Sequence, residues 1–191
     1  MENLNNYHII LASQSPRRQE LLKGLDIQFS ACMIDIEEVF PAHLQAEEIP
    51  IYLAELKTKA FPLSAGDNKL IIAADTIVWH NGKMLGKPAN ETEAKKMLQA
   101  LSGDIHEVFT GVCLCTAEKK VSFSATTKVY FAPLSSEEID YYVSHYKPYD
   151  KAGAYGVQEW IGFAAVERIE GSYFNVMGMP IQQLYTELKK F

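Results

Sequence analysis

Leu70-Ile71-Ile72-Ala73-Ala74-Asp75-Thr76-Ile77-Val78-Trp79 is the most apolar and most β-branched run in the chain. A run of that kind predicts a strand in the middle of a sheet, not at its edge. One carboxylate interrupts it. Burying an unpaired carboxylate is expensive, so Asp75 must be hydrogen-bonded, paired with a cation, coordinated to a metal, or exposed at a strand end in a cleft. Asn81-Gly82 follows, a strong two-residue hairpin signal that returns the chain through Lys83-Met84-Leu85-Gly86 to Lys87-Pro88, near the level of the Asp75 strand.

A second apolar run, Ile9 to Ala12, predicts another buried strand. Ser15-Pro16 then has the form of an N-cap followed by proline at the first helical position. Arg17 and Arg18 fall in the first turn of that helix, where the dipole and the free backbone N–H groups favour acidic residues. Two guanidinium forks beside those N–H groups suit a phosphate or polyphosphate. The alternative at this point is that both arginines face solvent.

Along the rest of the chain, Gly24 is expected to stop the first helix and residues 27–33 alternate well enough for a second strand. An acidic segment, Asp35-Ile36-Glu37-Glu38, precedes a helical pattern over about 47–61 with Ile51, Leu53, Leu56 and Ala60 as core positions and Lys57 and Lys59 on its surface. Asn90 with Glu93, and Ser135 with Glu138, have the spacing of capped helix starts. Residues 106–115 and 121–131 predict a wide hairpin. Met179-Pro180 introduces a closing helix. The order of elements gives an α/β fold: an elongated mixed β-sheet flanked by helices, read as a single domain over residues 1–191, with a cleft between two lobes expected.

At 191 residues, 48% hydrophobic and 22% charged, the chain has the composition of a globular protein. Its net charge of −6 opposes binding to a nucleic-acid polymer, which depends on neutralising phosphates. Neither a leader-like N-terminus nor an apolar run of membrane-spanning length is evident, so a cytoplasmic location with no membrane partner is expected. Cys32, Cys113 and Cys115 lack zinc-site spacing and are expected as small buried residues. The five histidines have no ligand spacing, and Tyr141, Tyr142, Tyr146 and Tyr149 are expected to pack and not to stack on a base. No G-x-x-x-x-G-K-[ST] run is present, which disfavours a Walker-type ATPase.

Collected by chemistry, Arg17, Arg18, one of Lys57 and Lys59, Lys87, Glu38 and Asp75 suit metal-assisted hydrolysis of a polyphosphate. Ser13-Gln14-Ser15-Pro16-Arg17-Arg18, Ala74-Asp75-Thr76, Gly86-Lys87-Pro88, Leu101-Ser102-Gly103, Thr110-Gly111, the stretch from Asp150 to Gln158, and Glu170-Gly171-Ser172-Tyr173 resemble, in order and nearly end to end, the Maf family of nucleoside triphosphate pyrophosphatases. The resemblance implies a fold similar to the inosine triphosphate pyrophosphatases. It also implies hydrolysis of a nucleoside triphosphate to the monophosphate and diphosphate with a divalent cation, Mg2+ or Mn2+. By the same resemblance Asp75 activates water. Ser13, Arg17, Arg18, Lys57, Thr76, Lys87 and Gln158 bind substrate, and Glu38 joins Asp75 in holding the metal.

Arg17, Thr76 and Gln158 resemble the branch acting on dTTP and UTP, and the Gln158 amide can offer one donor and one acceptor to the O4 and N3–H of uracil or thymine. The chain departs from that family at Glu159-Trp160, where relatives usually have a glycine. This places a bulky, charged step beside the expected base pocket and raises the alternative of another or a modified nucleoside triphosphate. A non-hydrolysing nucleotide-binding regulator of cell division is the alternative from a different class. A homodimer is compatible with the sequence without any residue pattern that specifies it.

Overall fold

The structure is a computed structural model and describes residues 2–191. Seven strands form one mixed sheet: β1 (His8–Leu11), β2 (Ser30–Ala31), β3 (Lys69–His80), β4 (Lys83–Leu85), β5 (Ile105–Cys115), β6 (Lys120–Phe131) and β7 (Val166–Glu170). Their order is β2-β1-β3-β5-β6-β7, with β4 also paired to β3. The helices are α1 (Pro16–Lys23), α2 (Glu48–Thr58), α3 (Glu91–Leu101), α4 (Ser136–Tyr146), α5 (Trp160–Ala164), α6 (Tyr173–Met177) and α7 (Ile181–Leu188). Among the described residues no helix is long and apolar enough to cross a membrane.

The chain forms two compact units, and three strands contribute residues to both. The first unit comprises Met1–Asp75, Thr110–Ala125 and Gly178–Phe191. Here β1 runs parallel to β3, with Ile9 opposite Leu70 and Leu11 opposite Ile72, and parallel to β2 on its other side. Ala12 continues the pairing by donating its N–H to the Ile72 carbonyl at 2.8 Å. The chain therefore leaves β1 at the carboxyl ends of parallel strands, where open α/β sheets build their ligand sites, and enters α1 at Pro16. Gly111 lets α2 come close to β5: a Cβ there would stand 2.3 Å from the Ile51 nitrogen.

The second unit comprises Thr76–Phe109 and Thr126–Met177. Its core joins Val78 and Val129 from the sheet to Leu98 and Leu101 of α3, Tyr142 and Val143 of α4 and Ile161 of α5. The Asn81-Gly82 turn has the two positive φ angles of the expected hairpin, 49° and 74°, and pairs His80 with Lys83. Both expected helix starts are present. Asn90 accepts from the Glu93 N–H at 3.0 Å, and Ser135 and Glu138 form a complete capping box.

Several expectations need correction. The second strand shrinks to two exposed residues at the sheet edge, where pairing comes from one side only, and Cys32 just beyond it is exposed. In α2 the buried stripe runs through Ile49, Leu53 and Lys57, so Ile51 and Leu56 are only half-buried and Ala60 lies past the helix end, exposed. A lysine on the inner face had displaced the apparent period by one or two residues. Tyr141, Tyr146 and Tyr149 are partly exposed, whereas Tyr142 is fully buried. Helices α5 and α6, at five residues each, are too short for a 3.6-residue period to register in the sequence.

Candidate active site

The first unit gathers five of the charged residues singled out from the sequence. Asp75 lies on β3 and Lys57 in the last turn of α2, and the Lys57 ammonium is 2.5 Å from Asp75 Oδ1. The same nitrogen is 2.8 Å from Glu38 Oε1, carried by the irregular segment that follows β2. The side chains of Lys57 and Asp75 are only 10% and 11% exposed, against 42% for Glu38. Asp75 is thus paired with a cation, the second of the four conditions that its sequence setting allowed. Of the two lysines, Lys57 is the one brought to Asp75, whereas Lys59 is exposed at the end of α2.

Arg17 and Arg18 open α1 as expected, although Ser15 makes no side-chain cap. Its N–H instead donates to Ser13 Oγ at 3.1 Å, which fixes the turn that leads into the helix. Arg18 donates from Nε to the Gly178 carbonyl at 2.9 Å. Burial lowers its pKa; the Asp75 carboxylate works against that, Arg17 adds to it, and Glu38 opposes it. A guanidinium titrates so far above neutrality that Arg18 stays charged. These couplings place Arg17, Arg18, Glu38 and Asp75 in one electrostatic neighbourhood.

Two carboxylates that meet on one ammonium offer the hard oxygen donors that a magnesium or manganese ion takes. Among the described residues no group of three or more His, Cys, Asp and Glu side chains converges for a metal. The donor set therefore fits an ion that completes its shell with water and substrate phosphate, and does not fit an all-protein cage.

Thr76, Lys87 and Gln158 belong to the second unit. Thr76 follows Asp75 on β3, so the two side chains leave opposite faces of the strand. Lys87 is exposed beyond β4. Just before it, the Gly86 carbonyl accepts from the Gly153 N–H at 3.1 Å. Gly153 has a φ of +66° and sits against Val78, where a Cβ would come within 2.9 Å of a methyl group. Gln158 is half-buried in the turn that precedes α5.

What the sequence reading missed is the surroundings of Gln158. Lys151 is buried, 2.8 Å from Asp150 Oδ1 and 3.0 Å from Glu159 Oε1. Tyr142 of α4 donates its hydroxyl to Glu159 Oε2. Burial first and Glu159 second push the Tyr142 pKa up, so its proton stays in place. The charge at Glu159 is therefore engaged within the fold, and Trp160 packs edge-on against Tyr141 at 5.0 Å between ring centroids. The only sequence signal was the departure from the family pattern at position 159.

Comparison with known proteins bears on the whole chain. Residues 8–191 match the family described as Maf-like protein. The chain is 59% identical over 191 residues to a dTTP/UTP pyrophosphatase of Phocaeicola vulgatus, covering 100% of this chain and 99% of that protein. It is 54% identical over 192 residues to a dTTP/UTP pyrophosphatase of Parabacteroides distasonis, covering 100% of each. Of the solved structures, that of the Staphylococcus aureus Ham1 protein aligns with a TM-score of 0.46 at 18% identity, over 65% of this chain and 72% of that one. With a family match over nearly its whole length and relatives above 50% identity across it, the chain belongs to the Maf-like protein family.

Proposed function

We propose that this chain is a nucleoside triphosphate pyrophosphatase acting on dTTP and UTP, yielding the nucleoside monophosphate and diphosphate. The names of its relatives support the substrate class. The observation that carries the chemistry is the convergence of Asp75 and Glu38 on the Lys57 ammonium beside two arginines.

In this reading Asp75 orients a water molecule and takes its proton. The water oxygen bonds to one of the two phosphorus atoms flanking the α–β bridge, and the P–O bond from that atom to the bridge breaks. The electron pair leaves with diphosphate on attack at the α phosphorus and with the nucleoside monophosphate on attack at the β phosphorus. Arg17 and Arg18 offset the charge that builds on the phosphate oxygens, Arg18 with its guanidinium plane set by the Gly178 carbonyl. Lys57 and Lys87 are the further phosphate cations, and Ser13, which fixes the turn into α1, is a further substrate contact. Glu38 and Asp75 would hold a divalent Mg2+ or Mn2+, which supplies charge neutralisation at the phosphates. Thr76 and Gln158 contact the nucleoside, with the Gln158 amide matched to O4 and N3–H of the pyrimidine.

A turnover panel of nucleoside triphosphates with magnesium, manganese and chelator tests this directly. Diphosphate with dTMP or UMP, lost on chelation, is the expected result. Release of orthophosphate, or no turnover with any base, would overturn it. The alternative of a different base now has less to recommend it, because Glu159 engages Tyr142 and Lys151.

A further inference from the structure

Gln158 lies at a central position of a four-residue turn, residues 156–159, closed by the Glu159 N–H donating to the Gly156 carbonyl at 2.9 Å. Both ends of this turn hang from one side-chain oxygen. The Tyr142 hydroxyl accepts from the Gly156 N–H at 3.0 Å and donates its own proton to the Glu159 carboxylate. The second oxygen of Glu159 is 3.0 Å from the Lys151 ammonium. The space is filled closely. A Cβ on Gly156 would stand 2.9 Å from the Glu159 carboxyl carbon and 3.0 Å from Lys151 Cε, and a Cβ on Gly162 would stand 1.7 Å from the Val157 carbonyl oxygen.

We propose that Glu159 is a positioning residue for base selection: clamped by Tyr142 and Lys151, its carboxylate fixes the 156–159 turn and so holds the Gln158 amide in the orientation that reads the base. The inference rests on the pyrimidine pyrophosphatase reading above. Its physical basis is that amide recognition depends on direction. A glutamine whose backbone can rock loses the paired donor and acceptor geometry that distinguishes uracil or thymine from cytosine, whereas the phosphate chemistry at Asp75 does not depend on that geometry. Glu159 and Tyr142 therefore act through Gln158, and Lys151 acts by holding Glu159.

The test is a double-mutant cycle on the whole protein with dTTP, UTP and CTP as substrates. Glu159→Ala is expected to raise KM for dTTP and UTP about tenfold with kcat changed less than about threefold, and to narrow the preference for UTP over CTP. Glu159→Gln, which keeps an acceptor for Tyr142, should recover most of that preference. In a Gln158→Ala background, Glu159→Ala should change the preference no further. Tyr142→Phe, which retains the ring, should reproduce the loss and serves if Glu159→Ala does not fold. Unchanged UTP/CTP preference in both variants, or losses that multiply in the double variant, would overturn the inference while leaving the pyrophosphatase reading intact. A wild-type protein without pyrimidine turnover would overturn that reading and the inference with it.

Discussion

Lys57 and Lys151 are both buried, and each touches two carboxylates, yet the two arrangements are built differently. Lys57 takes Asp75 from a strand and Glu38 from an irregular, largely exposed segment, partners eighteen and nineteen positions away along the chain. Lys151 takes its partners from within eight residues, and one of these, Glu159, is held again by Tyr142 and is only 19% exposed. The first cluster is open at Glu38, whose side chain is 42% exposed. In the second, Glu159 is enclosed and held by Tyr142 as well, while the other carboxylate, Asp150, is 60% exposed. On the function proposed above, a lysine between two carboxylates serves as a site in one setting and a strut in the other, the difference being the third group that holds Glu159.

The largest effect should come from Asp75→Asn, which keeps the volume and removes the base. Turnover is expected to fall about a thousandfold, measured as diphosphate release. Near wild-type turnover would break the assignment of the first cluster as the catalytic one.

Lys57→Met and Lys151→Met compare the clusters directly. Each leaves a carboxylate without its cation and is expected to cost about 3 kcal/mol, lowering the melting temperature by about 6–12 °C. Saturating Mn2+ should restore the Lys57 variant, because the ion replaces the lost charge, and should not restore the Lys151 variant. Equal recovery of both would erase the distinction.

Gln158→Glu should lower kcat/KM for dTTP and UTP by about ten- to a hundredfold, with less change for other bases. A uniform loss across bases would remove Gln158 from base reading.

His106 shows a third way to bury an ionisable group, by keeping it neutral. Its Nε2 lies 2.7 Å from the Tyr155 hydroxyl, its Nδ1 is buried without a partner, and burial first, then the charge at His80, hold its pKa down at about 3, with Asp104 opposing. The unfolded chain binds this proton below about pH 6.5 and the folded one does not until about pH 3. Stability is therefore full above pH 6.5 and falls on acidification, by at most about 1.4 kcal/mol per pH unit. His106→Phe should flatten that slope in urea titrations between pH 4 and 6. The smallest effect belongs to Lys59→Ala, which should alter turnover less than about twofold, since an exposed lysine at a helix end leaves the Lys57 pair intact.

Much of this protein was legible in one dimension because the signals are local. The Asn81-Gly82 hairpin, the Ser135 capping box and the β3 strand with its buried aspartate each follow from residues within a few positions of one another. The same locality explains the failures. The alternation over 27–33 says nothing of where a strand lies in the sheet, and only Ser30–Ala31 pair, at the edge, with β1. The stripe of α2 was misplaced because Lys57 is buried for the sake of Asp75, a partner no helical period can reveal.

The sequence by itself determined the order of the longer elements, the α/β class and the identity of the charged residues, since propensity, patterning and motif order are properties of the chain. Only the tertiary structure brought Lys57 and not Lys59 to Asp75, joined Glu38 to the same ammonium, and enclosed Glu159 between Tyr142 and Lys151. Those outcomes depend on which groups share a buried volume, where an unpaired charge is costly and a paired one is held in place.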